Sequence, residues 1–456
     1  ATLEELYLLQ KLTRGLGSGS VDFRPRRRDF SADDKLAGVP WLGLRFAEIK
    51  DLDAALVIGS FLRKDHPLFA QRLRQLAKKW GKVSLLSVAG DDPLIKLHAQ
   101  LTVSPADLPR ALAAVVKAAA RLKGELVPPG LEAVEPCPIS EAIASSLLAG
   151  EKRALFLGNA AEQNPQAAQL HALALELATL TGASCGFLGE GANSVGGHVA
   201  KALPTALNAY EMFAQPRKAY VLLGVEPELD CHNPQQALAA LKDAALVVAL
   251  TPFADGLVRD YADVLLPISP FTETAGTFVN AEGRVQSFQG VVRPLGDSRP
   301  GWKVLRVLGN LLGLPGFDQD SSEQVRDEIA PPGQEFVAGL NNGLAALPLS
   351  LAFARSGLQR VADVPIYFAD PLARRAPALQ KTRDAAAPMA RMSAQTLATL
   401  RIGDGVPVRL RQADGEVVLT ARADETVPAG CVRVAAAHAS TAALGEMFGA
   451  INVERA

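Results

Sequence analysis

The feature that most constrains this chain is a repeated pairing of short apolar runs with longer helical patterns. "AALVIG" (54–59) precedes the helix-like "HPLFAQRLRQLAKKWG", and "KVSLLSV" (82–88) precedes "PADLPRALAAVVKAAARLKG". Pro105 opens that second helical pattern and Gly124 closes it, as helix start and stop chemistry predicts. After a stretch with four prolines, "VPPGLEAVEPCP" (127–138), which reads as a linker or crossover, the pattern resumes. Its later strands are "RALFLG" (153–158), "KAYVLLGV" (218–225), "ALVVAL" (245–250) and "ADVLLPI" (262–268). These runs are apolar almost throughout, as strands covered by helices on both faces must be. The expected fold class is α/β, with Rossmann-like, doubly wound lobes.

A chain of 456 residues exceeds what one core usually supports, so several domains are expected. Changes of pattern divide it into four. Residues 1–135 read as a first α/β lobe with an N-terminal helix and an extended segment, and 136–300 as a second α/β lobe. Residues 301–364 read as a helical and irregular connection. Residues 365–456 hold a small C-terminal β barrel, because "GDGVPVRLRQADGEVVLTARADETVPAGCVRVAAA" (403–437) alternates apolar and polar positions around Asp414-Gly415 with no room for helices.

Lys plus Arg (47) nearly cancel Asp plus Glu (48), so no global field gathers nucleic acid or an acidic membrane. The local exception is "RPRRR" (24–28), either a solvated extended segment or a docking point for an acidic partner. No apolar run approaches the ~20 residues that cross a bilayer. The opening "ATLEELYLLQKL" reads as an amphipathic helix without the order of a secretion signal, and further chain is expected before it. Cys137, Cys185, Cys231 and Cys431 lie far apart with no C-x-x-C pair, which excludes a local iron–sulfur or structural zinc motif and suits a reducing cytoplasmic compartment. Asp230-Cys231-His232 are sequence neighbours, which rarely reach one metal together, so a loop cluster is the expected reading.

Three loops follow predicted strands, where open α/β sheets bind ligands. The first begins Gly158-Asn159, where a glycine and a helix N-terminus suit a phosphate, although a tight turn explains it equally and the full G-x-G-x-x-G is missing. The second, "GEGANSVGGHVAK" (189–201), carries His198, which has no Ser or Cys partner and is expected to pack. The third, "ETAGTFVNAEGRVQSF" (273–288), crowds Glu273, Gly276, Thr277, Asn280, Glu282, Gly283 and Arg284 into one turn, either to bend the chain or to line a polar cleft. No nucleophile elbow, Walker loop or H-E-x-x-H is present.

The stretch "ADVLLPISPFTETAGTFVNAEGRVQSF" resembles the signature of the molybdopterin oxidoreductase superfamily, and "GDGVPVRL" with "ETVPAGCVRV" resembles its dinucleotide-binding barrel. "IGSFLRKDHPLFAQRLRQLAKK", "GEGANSVGGHVAK" and "IYFADPLARRAPALQKT" are similar to one branch, the family of the large iron–sulfur subunit of NADH:quinone oxidoreductase, respiratory complex I. That resemblance implies a scaffold portion with no catalytic residue and no metal ligand of its own. Iron–sulfur clusters are then expected upstream, and Gly158, Asn159 and the seven residues from Glu273 to Arg284 become a vestigial pterin-type cleft. The implied partners are other cytoplasmic-arm subunits of complex I, including the NADH-binding subunit. The implied location is the cytoplasmic side of the inner membrane, peripheral and without insertion. The alternative within the superfamily is the molybdopterin dinucleotide-binding portion of a formate dehydrogenase-like oxidoreductase, with Gly158, Asn159, Glu273, Thr277 and the barrel loops on its phosphates.

Overall fold

The apolar runs become parallel strands. In the computed structural model, which describes residues 1–329, 336–351 and 357–456, the chain divides into two compact units that are each discontinuous in sequence. One comprises Ala1–Arg27, Gly191–Leu340 and Asp370–Ala376; the other comprises Arg28–Glu190, Asn341–Ala369 and Pro377–Ala456.

The second unit holds a five-stranded parallel sheet of β1 (Ala54–Ile58), β2 (Lys82–Ser87), β3 (Ala99–Thr102), β4 (Arg153–Leu157) and β5 (Ser184–Phe187), in the order β3-β2-β1-β4-β5. All five residues of β1 are buried, because Lys82–Leu86 flank it on one side and Arg153–Leu157 on the other. Helices Leu108–Lys123 and Ala167–Thr181 contribute Leu112, Val116, Leu170 and Leu177 to the core over the sheet. Strand order reverses between β1 and β4, which makes their carboxyl ends the topological switch point. The proline-rich stretch 127–138 is thus a crossover inside one sheet. The expected division at residue 135 cuts between strands that pair side by side.

The first unit holds a three-stranded parallel sheet of β6 (Ala219–Leu223), β7 (Leu246–Thr251) and β8 (Val264–Pro267), in that order. A hairpin follows, β9 (Gly276–Val279) against β10 (Val285–Phe288), registered Val279 to Val285 and Gly276 to Phe288. One sheet face packs on helices Leu3–Gly15 and Gly301–Leu311 through Leu8, Leu12, Trp302 and Leu305. The other packs on Ala240, Leu241, Val258 and Tyr261.

The C-terminal β domain adds β11 (Gln359–Val361), β12 (Ala390–Met392), β13 (Pro407–Gln412), β14 (Gly415–Ala423), β15 (Cys431–Arg433), β16 (Phe448–Ala450) and β17 (Asn452–Arg455). They form one sheet in the order β16-β11-β15-β12-β14-β13-β17. Its two end strands are consecutive in sequence and joined only by Ile451, so the sheet must curl until its ends approach. Val408, Leu410, Ala421, Val432 and Ile451 fill the inside. Of the expected connection 301–364, residues 330–335 and 352–356 lie outside the described residues.

Ile451 is 3% exposed at the point where the curled sheet closes. Ile451→Ala is expected to cost about 2–5 kcal/mol, the range for deleting a packed aliphatic side chain, read as a lower urea midpoint at unchanged m-value.

Candidate functional site

At the switch point the turns after β1 and β4 grip each other. Gly59 sits at φ +64°, and a Cβ there would stand 2.5 Å from the Ala161 nitrogen. Its carbonyl accepts from the N–H groups of Ala160 (2.8 Å) and Ala161 (3.3 Å), while Gly158 N–H donates to Ile58 O at 2.9 Å. A side chain at Gly158 would overlap that of Ser60. Gly158 N–H is thus spent on β1, and the amides of Ala160 and Ala161, just beyond Gly158-Asn159, are spent on the neighbouring turn. Asn159 Oδ1 is a buried acceptor with no hydrogen-bond partner.

The turn after β1 carries more chemistry. Gly189 O, an acceptor only, lies 3.0 Å from His66 Nε2, so the proton sits on Nε2 and Nδ1 is left to accept from Ser60 Oγ at 3.1 Å. Desolvation lowers the His66 pKa to about 4, which keeps the imidazole neutral. Ser60 and His66 thus form an oriented pair without the carboxylate of a triad. Beside them Asp65 Oδ2 accepts the Phe61 N–H at 3.0 Å. Desolvation raises the Asp65 pKa to about 7 against that hydrogen bond, with the charges of Asp363, Glu190 and Asp91 adding to the rise. Asp363 itself is held below its usual range, because the paired Arg433 (3.0 Å) outweighs its burial. Arg433 also lies 4.7 Å over the Phe61 ring.

In the first unit, seven of the nine expected site residues fall on or beside the β9–β10 hairpin; Gly158 and Asn159 belong to the second unit. Asn280 is the hub of the turn. Its Oδ1 accepts from Glu282 N (3.2 Å) and Arg284 N (2.8 Å), its carbonyl from Gly283 N, and its own N–H donates to Arg284 O. Gly283, at φ +83°, supplies a conformation that other residues resist. Glu282 pairs with Arg284 at 3.2 Å. Thr277 N–H donates to buried Glu4 Oε2 (2.9 Å), Thr277 Oγ1 meets Ser287 Oγ (3.0 Å), and Glu273 Oε2 accepts from Leu295 N (3.0 Å). At Gly276 a Cβ would press on Thr2. Burial lifts the Glu4 carboxyl pKa despite the Thr277 hydrogen bond. Asn193 ties the helix start to this hairpin, donating to Ala1 O and accepting from Val279 N.

The carboxyl ends of β6–β8 open onto a cavity of about 160 Å³, lined in part by Gly224, Glu226, Thr251, Phe253, Ser269 and Asp370. The segment Asp370–Ala376 brings two guanidiniums against Glu226 and Phe253, which line the cavity. Arg374 contacts Glu226 (2.7 Å) and Asp230 (2.5 Å); Arg375 contacts Glu226 (2.5 Å) and Asp255 (2.8 Å) and lies 4.2 Å over Phe253. Arg26 reaches Asp230 at 2.8 Å. Arg24 and Arg26 of the basic run are thus buried against Asp22 and Asp230 of their own unit, because a guanidinium fork satisfies a buried carboxylate. His232 Nδ1 meets Arg26 O at 3.1 Å, and burial lifts the Cys231 thiol pKa. His198 packs edge-on to Phe23, and its pKa is pushed well down by burial. Among the described residues no group of three or more His, Cys, Asp or Glu is placed to hold a metal, and no helix is long and apolar enough to cross a membrane.

Sequence reasoning missed Ser60, Asp65, His66, Glu226, Arg374 and Arg375. "LRKDHP" reads as the start of a helix, and the arginines of "LARRAP" find their partners over a hundred residues away.

This architecture has known counterparts. The molybdopterin oxidoreductase family model matches residues 1–311, and the chain belongs to that family. Proteins of Staphylococcus aureus strains USA300 and MRSA252 named "Putative formate dehydrogenase" are each 46% identical over 70 residues, 15% of this chain and only 7% of theirs. Acetylene hydratase from Pelobacter acetylenicus superposes with a TM-score of 0.64 at 14% identity, covering 98% of this chain and 82% of that one. The family name implies molybdopterin in relatives, and a bound phosphate is best met by unspent N–H donors. Here Ala160, Ala161 and Phe61 donate to the chain's own oxygens, and the cavity after β6–β8 is below the ~300–1,000 Å³ of typical ligand sites. The N–H groups of Ala160, Ala161 and Phe61 are therefore not available to such a phosphate in this structure.

Two variants test this geometry. The folded Asp65 pKa lies near 7 and the ordinary value is 3.8, so the folded state binds the proton more tightly and stability falls as pH rises between those values. Asp65→Asn keeps the acceptor for Phe61 N–H. In denaturant unfolding it is expected to be more stable than the parent at pH 8, by at most about 4 kcal/mol, and to show no gain at pH 4. Arg374→Met leaves Glu226 with Arg375 and Asp230 with Arg26. Its expected loss in denaturant unfolding is about 2–3 kcal/mol, below the ~3–5 of a wholly unpaired buried charge.

Proposed function

We propose that this chain is a scaffold portion of an electron-transfer protein, of the type of the large iron–sulfur subunit in NADH:quinone oxidoreductase, whose pterin-type turns serve to hold protein to protein. The observation that carries this reading is the self-satisfaction of the switch point. The Gly59 carbonyl takes the Ala160 and Ala161 amides, and the Asp65 carboxylate takes the Phe61 amide, where a cofactor phosphate would need them. The clamp of Arg374 and Arg375 on Glu226, Asp230 and Asp255 supports it, since guanidiniums already engaged by carboxylates are not offered to an anionic ligand. In this role the chain performs no redox step. It would support clusters carried elsewhere in the same protein and dock among the cytoplasmic-arm subunits, including the one that binds NADH.

A second reading is favoured by the names of the Staphylococcus aureus relatives and by the partnerless Asn159 Oδ1: the dinucleotide-binding portion of a formate dehydrogenase-like oxidoreductase. An acceptor of this kind suits a ring N–H better than a phosphate.

The two readings separate on the protein purified from its native host. Acid and heat release and oxidise any bound pterin to a fluorescent product. The scaffold reading expects no stoichiometric pterin or molybdenum, together with co-purification of NADH-oxidising activity. About one pterin per chain would replace it with the second reading.

A further inference from the structure

Between the β9–β10 hairpin and the helix Gly301–Leu311, residues 289–300 hold an apolar knob in solvent. Val291 is 84% exposed, Leu295 82%, Val292 58%, and the neighbouring Phe271 53%. Four large apolar side chains exposed on one short segment and its hydrogen-bonded neighbour are more than the scattered single exposures of an ordinary surface.

The knob is held firmly. Val291 N–H and Val292 N–H both donate to Thr272 O, at 2.8 and 3.3 Å, and Leu295 N–H donates to Glu273 Oε2 at 3.0 Å. Ser269 N–H donates to Arg299 O at 2.8 Å, and Gly290 packs so closely that a Cβ there would lie 3.1 Å from the Glu273 carbonyl carbon. Ordering these groups before contact lowers the entropy lost when they are covered.

Around the knob stand Arg293, Arg299 and Lys303, all exposed, and two acids, Asp297 and the Glu273 carboxylate that already accepts Leu295 N–H. Arg299 donates only to the carbonyls of Gly296 and Ser298, and among the described residues none of the three cations has an ion-pair partner. We infer that residues 291–299, with Phe271, form a docking knob for a different protein, one that presents an apolar depression rimmed by carboxylates. Charge decides the class of partner. An isologous contact between two copies would bring like cations together. A membrane-seeking segment would carry more cations and no acid at its centre. The knob goes beyond the scaffold reading and stands without it.

The test places a photo-crosslinking benzophenone side chain at position 292 of the full chain in its native host. The expected result is one discrete adduct with a different protein, joined at an apolar stretch flanked by Asp or Glu. Its yield should fall at least tenfold with Leu295→Asp, and likewise with the pair Arg293→Glu and Arg299→Glu, while the melting temperature stays at the parent value. The proposal is overturned by adducts only with a second copy, by adducts only with lipid, or by a yield no higher than from benzophenone at the equally exposed Val418. It also falls if these charge changes leave the yield intact. A partner with no place in electron transfer would remove the scaffold reading and leave the knob standing.

Discussion

The switch point depends on one carbonyl. Gly59 O lies between two strands that run side by side, and it takes two N–H groups at the start of the helical turn after β4. A buried backbone donor must be satisfied by something, and in this fold the choice is between the chain and a ligand. Once the chain supplies the acceptor, the turns lock. Ser60 is then set against Gly158, the imidazole of His66 is fixed between a hydroxyl and a carbonyl, and the Asp65 carboxylate folds back on Phe61.

The same logic recurs in the other unit with charges in place of carbonyls. Glu226 and Asp230, just beyond β6, would be costly to bury alone. Arg26, Arg374 and Arg375 come from either side of a long span of sequence to meet them. The hairpin obeys the same rule, since Asn280 satisfies its own turn and buried Glu4 reaches Thr277. In this chain the polar groups of these turns form connected sets that hold the turns in place.

Much of the fold was readable because buried parallel strands show as unbroken apolar runs. β1, β2, β4, β6 and β8 lie within stretches that stand out in that way, and β7 does so but for its last residue, Thr251. β3 ("AQLT") and β5 ("SCGF") did not show, being four-residue edge strands of small or polar composition. The curl of the C-terminal sheet was visible only in part, because β12 and β15 have three residues each and no alternation to detect. The turn residues from Glu273 to Arg284 were legible as a group, since glycine and asparagine announce a bend. The clamp was not, because Arg374 and Glu226 are separated by 148 positions and neither is unusual in its local setting.

The helix Leu3–Gly15 is buried by the helix Gly301–Leu311, nearly three hundred residues downstream. At translation rates of ~5–20 residues per second its leucines emerge roughly 15–60 s before that neighbour exists. During that interval an apolar stripe with no lid is presented to solvent.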